Sequence, residues 1–274
     1  MEKLQNVKSF NNKLRSDPVE IIVSPPVKQL SNMTNPASPF LKLFHKDLLK
    51  LWVRNTGSRF TNMIPMIYPE FKPDSLLFIG INPSFDPKAV IRVLKDTEFG
   101  EKLNTPEAVK DYFKFEPEGA QLQIANFQRI QQYHREKLNY FSRHRKLSQE
   151  LNDTPWEQID LFQARHSTQK DITDFLKLGN NTFFEEQITL FLNLLKIVAP
   201  KVIIVLNKTS GGIIKDLFDR NDKSLLTRIK ENRFILSVDG VKIPFLISKH
   251  VQYKKEEERD IINQEIKDFF NNCP

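Results

Sequence analysis

Short apolar runs that end in polar turns predict the strands of a buried sheet. Ser75–Ile81 and Lys201–Leu206 are apolar on both faces, a pattern typical of strands in a parallel sheet. Trp156–Phe162 is predicted as a further strand. Phe234–Val238 and Lys242–Ile247, joined by an Asp-Gly turn, are predicted to form a strand pair.

Segments with helical periodicity lie before, between and after these runs. Apolar residues recur at helical spacing in residues 41–52, 183–198 and 255–271, and residues 87–150 are mostly helical in pattern. Residues 1–40 show no sustained period and hold several prolines, so we expect an extension there and a single domain over residues 41–274. Strands that alternate with helices predict an α/β fold, in the form of a three-layer α-β-α sandwich with a mainly parallel central sheet of about four strands.

Polar turns follow three of the predicted strands. They are Asn82-Pro83-Ser84, Asn207-Lys208-Thr209-Ser210 and Ser248-Lys249-His250. Binding sites in parallel sheets lie at the carboxyl ends of the strands, so neighbouring strands would bring these turns to one crevice. By itself, the turn Asn82-Pro83-Ser84 is weak evidence for a binding site, because Asn-Pro pairs are ordinary turn formers.

The chain of 274 residues carries a net charge of +7, and most of the excess is local. Six basic residues and one acid lie between Phe127 and Leu147, with Tyr133, Tyr140 and Phe141 among them. Such a stretch indicates either a polyanion held by charge and stacking, or a solvated helix face with its aromatic rings in the core.

Cysteine content and hydropathy narrow the class of protein. The single cysteine, Cys273, excludes an internal disulfide, and there is no Cys/His cluster for zinc. The apolar runs are too short to span a bilayer, and the N-terminus lacks the apolar core of a signal peptide. We therefore expect a soluble, cytoplasmic monomer with no metal, no cofactor and no membrane partner.

The strand and turn ending in Gly80-Ile81-Asn82-Pro83-Ser84 resemble the first motif of the uracil-DNA glycosylase superfamily, which reads G-x-N-P followed by G or S. The likeness is nearest to the mismatch-specific uracil/thymine-DNA glycosylase branch, whose motif is G-I-N-P-G. Later segments are similar to that branch in their order, at residues 159–165, 194–206 and 245–251. The resemblance runs from about Leu76 to the C-terminus.

This resemblance implies a hydrolase that removes uracil or another altered base from single- or double-stranded DNA in base excision repair, flipping the base out of the helix. Asn82 would position the attacking water, and His250 would donate to the departing base. The residues expected around the base are Gly80, Ile81, Pro83, Ser84, Phe85, Asp160 and Asn207. Those expected to contact DNA, beside the second motif or in the basic stretch, are Ser248, Lys249, Gln252, Tyr253, Lys254, Arg143 and Arg145.

Alternative roles for these residues, and alternative functions for the protein, stay open from the sequence alone. His250 could instead cap a helix, Asp160 could cap a loop, and Phe85 could belong to the core. The second motif lacks its Pro-Ser after His250, which favours a second hypothesis: a catalytically weak or inactive nucleic-acid-binding protein on the same fold. A third is a nucleotide binder with a phosphate loop at residues 207–212, although G-x-x-x-x-G-K followed by S or T is absent.

Overall fold

The computed structural model describes residues 38–165, 182–206, 208–221, 225–249 and 255–272. Most of the predicted extension, residues 1–37, lies outside these ranges. The helices described are α1 (Pro39–Arg54), α2 (Pro87–Leu94), α3 (Pro106–Tyr112), α4 (Pro117–Ala120), α5 (Ile124–Lys137), α6 (Ser142–Glu150), α7 (Thr182–Val198), α8 (Lys208–Asn221) and α9 (Glu256–Asn271). The strands are β1 (Leu76–Gly80), β2 (Trp156–Asp160), β3 (Val202–Val205), β4 (Leu226–Lys230), β5 (Arg233–Val238) and β6 (Val241–Ile247).

The six strands form one mixed sheet in the order β2-β1-β3-β6-β5-β4. The first four are parallel neighbours, and β5 is antiparallel to both β6 and β4. The α/β class and the strand pair β5–β6 are therefore confirmed, but the sheet has six strands rather than about four. The apolar pattern gives no signal for β4, because this edge strand buries Leu226 alone and exposes its other residues.

Alternate strand residues enter two separate apolar layers. Leu77 and Ile79 face the layer built with α1, α5 and α7, whereas Leu76 and Phe78 face the layer built with α6 and α9. This period of two is a property of every strand, and here both faces are apolar because helices cover both. In the part of the chain described, no helix is both long and apolar enough to cross a membrane.

Helix α8 packs closely on β6 through a glycine. A Cβ atom at Gly211 would lie 2.2 Å from Cγ2 of Ile247, whereas one at Gly212 would meet nothing within 4 Å. Both glycines lie inside α8, which begins at Lys208. Gly211 is therefore a packing contact and Gly212 faces open space, whereas phosphate binding by residues 207–212 stays a prediction.

The two adjacent glycines make a matched pair of tests. We expect Gly211→Ala to lower the free energy of unfolding by about 1–3 kcal/mol, because the new methyl group overpacks the contact with Ile247. Gly212→Ala should raise it by about 0.5–1 kcal/mol, because alanine loses less backbone entropy in a helix. Urea unfolding followed by tryptophan fluorescence measures both. Equal stabilisation by the two substitutions would contradict the packing described.

Candidate functional site

Four parallel strands bring their carboxyl ends to one edge of the sheet, which we call the carboxyl edge. Strands β1 and β2 end at paired residues, since Gly80 lies opposite Asp160. On the other side of β3, the amide of Ser248 donates to the carbonyl of Val205 at 2.9 Å, so β6 ends level with β3. The predicted turns that follow β1, β3 and β6 therefore start from the same edge.

The turn after β1 is held by its neighbour strand. The carbonyl groups of Gly80 and Ile81 accept hydrogen bonds from the amides of Leu161 and Phe162, at 2.9 and 2.8 Å. These bonds continue the β1–β2 pairing past both strands, so the backbone entering Asn82 has little freedom.

Asn82 itself is almost wholly buried, with 9% of its surface exposed. Its Nδ2 lies 3.4 Å from the carbonyl oxygen of Pro83, a long contact. Pro83 is also buried, and Ser84 is exposed. Two residues later, Asp86 caps α2 by accepting from the amide of Lys88 at 3.0 Å. The amide of Asn82 is thus fixed between a strand and a capped helix.

The carboxyl group of Asp160 lies directly against the backbone of β1. Gln158 and Asp160 point to the same face of β2, and Asp160 is only 5% exposed. A Cβ atom at Gly80 would lie 2.1 Å from Oδ1 of Asp160 and 3.0 Å from Nε2 of Gln158. Only glycine leaves room at this position for a buried carboxyl group.

Burial governs the acidity of this carboxyl group. Desolvation raises the pKa of Asp160 to about 7, against the opposing effects of the Arg165 charge and a hydrogen bond from Gln158. Arg165 is buried as well, and desolvation lowers its pKa to about 10. Its Nε donates to the carbonyl oxygen of Ile64 at 3.2 Å. Near neutral pH the Asp160 carboxyl group is therefore populated in both its neutral and its charged form.

A closed set of hydrogen bonds fixes the backbone around Asp160. Its amide donates to the Tyr68 hydroxyl at 2.9 Å, which donates to Oε1 of Gln163 at 2.7 Å. Nε2 of Gln163 returns to the Asp160 carbonyl oxygen at 2.6 Å, and the Gln163 amide donates to Oε1 of Gln187 at 2.7 Å. Burial, followed by the charge of Asp160, raises the pKa of Tyr68 well above its usual value, so this phenol keeps its proton.

Aromatic rings pack together at the start of α6 and in the turn before it. The ring of His144 lies 4.0 Å from that of Phe78. Burial, and secondarily the charge of Arg143, lowers the pKa of His144 to about 3, so its ring is neutral near pH 7. Tyr140 lies 5.8 Å from His144, centroid to centroid.

Most of the basic side chains between Phe127 and Leu147 form ion pairs or hydrogen bonds with other groups of the protein. Nη1 of Arg135 lies 2.7 Å from Oε2 of Glu157, whose side chain is fully buried. Arg145 donates to the carbonyl oxygens of Arg135 and Leu138, at 2.6 and 3.3 Å. Two further ion pairs join Arg129 to Glu98 and Lys146 to Glu150. The interpretation of this stretch as a free positive patch is therefore too simple, and a DNA contact by Arg145 stays a prediction.

Arg143 differs from its neighbours. Its Nε donates to Oδ1 of Asn263 on α9 at 3.0 Å. Both of its Nη atoms are buried and have no hydrogen-bond partner among the described residues. Burial, followed by the charge of Arg259, lowers the pKa of Arg143 to about 10. Its predicted contact with DNA is untested, but its guanidinium group is the least satisfied of those in the basic stretch.

The remaining predicted site residues have different surroundings. Phe85 is half-buried, and its ring packs 5.2 Å from Phe113, as a core residue does. Ser248 is 2% exposed, and its Oγ has no hydrogen-bond partner in the described ranges, whereas Lys249 is exposed. The side chains outside the described residues are those of Asn207, His250, Gln252, Tyr253 and Lys254.

Sequence reasoning missed three residues that build the site. Gln158 had a signal, because polar residues at alternate positions of a buried strand need a partner on one face. Tyr68 and Gln163 had none, since both lie in irregular segments and reach Asp160 only through the fold.

Comparisons with known proteins assign no family. The sequence matches no protein-family model and no curated protein. Among the described residues, no group of three or more His, Cys, Asp or Glu side chains could hold a metal ion.

The acidity of Asp160 predicts a pH-dependent stability. Its folded pKa of about 7 lies above the ordinary value of 3.8, so its stabilising contribution is complete below pH 3.8 and is lost as the pH rises through 7. Asn in its place cannot ionise. We expect Asp160→Asn to gain about 2–3 kcal/mol of unfolding free energy relative to the unaltered protein between about pH 5 and about pH 8. The gain rises at about 1.4 kcal/mol per pH unit up to about pH 7 and levels off above it.

Urea unfolding across this pH range measures the difference. Asp96→Asn, at an exposed position, is the control and should show no such growth with pH. A stability difference for Asp160→Asn that does not change with pH would contradict the burial of this carboxyl group.

Proposed function

We propose that the protein is a DNA glycosylase, which hydrolyses the N-glycosidic bond of uracil or another altered base. The observation that carries the proposal is that Asn82 and Asp160, an amide and a carboxyl group, are both nearly buried at the ends of neighbouring parallel strands. An amide that orients water and a carboxyl group that hydrogen-bonds a base edge are two polar functions that this reaction uses in one crevice.

Hydrolysis of an N-glycosidic bond is compatible with an amide side chain, rather than a carboxylate, at position 82. Breaking the N-glycosidic bond builds positive charge on the sugar and negative charge on the departing base. The amide oxygen of Asn82 can orient a water molecule, although it takes a proton poorly. This is sufficient when the bond is already largely broken before water attacks, because a strong base is then not needed.

The raised pKa of the Asp160 carboxyl group is compatible with a base that departs as an anion. A fixed negative charge beside a base that leaves as an anion would raise the barrier. Burial keeps part of the Asp160 population neutral near pH 7, and a neutral carboxyl group can donate as well as accept a hydrogen bond. We expect the neutral form to be the productive one.

The architecture gives further support. Ligands of open α/β sheets bind at the carboxyl ends of the strands, where Asn82 and Asp160 lie. The parallel strands β2, β1, β3 and β6 correspond to the successive segments on which the glycosylase resemblance depends. A second candidate, a nucleic-acid-binding protein without turnover, is favoured by the missing Pro-Ser after His250.

Excision is tested with labelled oligonucleotides that carry uracil, thymine opposite guanine, or hypoxanthine, in single- and double-stranded form. Abasic product is detected as strand cleavage in hot alkali. We expect product with at least one base, and we expect Asn82→Ala to slow its formation by about 100-fold or more, because the water is no longer oriented. Asn193→Ala, at an exposed amide on α7, is the control and should leave the rate unchanged.

Absence of abasic product from the folded protein with every oligonucleotide would exclude the glycosylase proposal. If the same protein binds the oligonucleotides and Asn82→Ala does not alter that binding, the second candidate is supported instead.

Substitution of two lysines, one in β6 and one just after it, tests which edge of the sheet contacts DNA. Lys249 is exposed at the carboxyl edge, and Lys242 is exposed at the other end of the same strand. We expect Lys249→Ala to weaken binding and to reduce the slope of log affinity against log salt by about 1, because one phosphate contact is lost. Lys242→Ala should change neither.

Fluorescence anisotropy over a series of salt concentrations measures both variants. Equal effects of the two substitutions, or an effect of Lys242→Ala alone, would contradict DNA binding at the carboxyl edge.

A further inference from the structure

Gln158 is a buried amide that lies beside Asp160 on β2. The two residues point to the same face of the sheet and are 9% and 5% exposed. The strand register places Phe78 opposite Gln158 and Gly80 opposite Asp160. A Cβ atom at Gly80 would overlap Oδ1 of Asp160 and would lie 3.0 Å from Nε2 of Gln158. The amide and the carboxyl group therefore share the space that glycine leaves open.

The partners of Gln158 decide which end of its amide faces the carboxyl group. Nε2 donates to the carbonyl oxygen of Ile159 at 3.1 Å, and the same side chain forms a hydrogen bond with the Asp160 carboxyl group. A carbonyl oxygen and a carboxylate can only accept hydrogen bonds, so both select the NH2 end of the amide. One N–H of this group faces the backbone, and the other faces Asp160.

The ring of His144 packs close to Gln158 from α6. It lies 4.0 Å, centroid to centroid, from Phe78, the residue opposite Gln158, and 5.3 Å from Trp156, two positions before Gln158. Burial lowers the pKa of His144 to about 3, although the Gln158 side chain opposes this effect. The neutral ring is thus part of the packing that surrounds the amide.

Titratable and charged groups also face Asp160 from other segments. Burial raises the pKa of Asp160 to about 7, and the charge of Arg165 and the hydrogen bond from Gln158 both oppose it. Burial, followed by the charge of Asp160, raises the pKa of Tyr68, so the hydroxyl that accepts from the Asp160 amide stays neutral. Arg165 therefore acts on the carboxyl group through its charge, whereas Gln158 acts through a hydrogen bond.

We propose that Gln158 is a positioning residue, which holds the Asp160 carboxyl group against Gly80, favours its charged form, and so limits the pH range in which the candidate site works. A hydrogen-bond donor to a carboxylate stabilises the charged form more than the neutral one. The effect on excision rests on the proposed function, but the effect on the carboxyl group does not.

The direction of the effect follows from the productive form. With a neutral Asp160 as the productive form, the excision rate falls as the pH rises through the titration of this carboxyl group. Without the donor of Gln158, the carboxyl group keeps its proton to a higher pH. The fall in rate then moves to a higher pH as well.

NMR titration of the Asp160 carboxyl carbon, in protein labelled with 13C-aspartate, measures the first effect without any substrate. The resonance is identified by its loss in Asp160→Asn. We expect Gln158→Met, which keeps the length of the side chain but has no N–H donor, to raise the pKa of Asp160 by about one pH unit or more. Gln149→Met, at an exposed glutamine on α6, is the matched control and should leave it unchanged.

Urea unfolding separates this role from a merely structural one. We expect the stability lost through Gln158→Met to grow between about pH 6 and about pH 9, because the charged carboxyl group is then without its donor. In a protein that also carries Asp160→Asn, the loss should be the same at every pH, since position 160 no longer titrates. A structural contribution of Gln158 alone would not depend on pH in either background.

The pH dependence of excision measures the consequence for the proposed reaction. We expect the fall in rate at high pH to move upward in Gln158→Met by the same amount as the pKa of Asp160. Gln149→Met should keep the profile of the unaltered protein.

The inference is overturned if Gln158→Met leaves the pKa of Asp160 unchanged or lowers it, or if the stability that it loses does not depend on pH. A raised pKa without abasic product from any oligonucleotide removes the glycosylase activity and keeps the action of Gln158 on the carboxyl group. Abasic product with an unchanged pKa and an unchanged pH profile keeps the activity and removes the positioning role.

Discussion

The contact between the Asp160 carboxyl group and the backbone of Gly80 is the constraint on which the candidate site depends. A side chain at position 80 would occupy the place of Oδ1, so the absence of a Cβ atom there allows a carboxyl group to lie buried between two parallel strands. The pairing of β1 with β2 fixes the two residues opposite each other, and Asn82 follows two positions after Gly80. One close approach therefore sets the position of the carboxyl group and the start of the amide-bearing turn together.

Burial at this contact also decides the chemistry. A carboxyl group removed from water holds its proton to a higher pH, and Arg165 and Gln158 offset only part of that effect for Asp160. The hydrogen bonds through Tyr68 and Gln163 hold the backbone, so the side chain has little scope to turn toward solvent. In the proposed reaction, this is how an acidic residue can sit beside a departing base without a permanent negative charge.

The sequence was informative where local pattern determines structure. Apolar runs predicted β1 and β3, and the polar residues after β1 and β6 indicated the edge of the sheet at which we place the candidate site. The strand β4 gave no such pattern, because it buries one residue and faces solvent. The partners of the basic stretch could not be predicted for a different reason: Glu98, Glu157 and backbone carbonyl groups bind Arg129, Arg135 and Arg145, and such partners become adjacent only in the fold. Tyr68 reaches Asp160 across 92 positions of the chain, which no local pattern encodes.

The central claim is that the carboxyl edge at Asn82 and Asp160 is a site where a base is bound for removal from DNA. A structure of the protein with an oligonucleotide whose altered nucleoside resists cleavage tests it most directly. We expect the base to be extruded from the stack, with its N–H edge at Asp160 and a water molecule held by Asn82 below the sugar. A complex in which the DNA lies on the opposite edge of the sheet, or in which the base stays stacked away from Asp160, would contradict it.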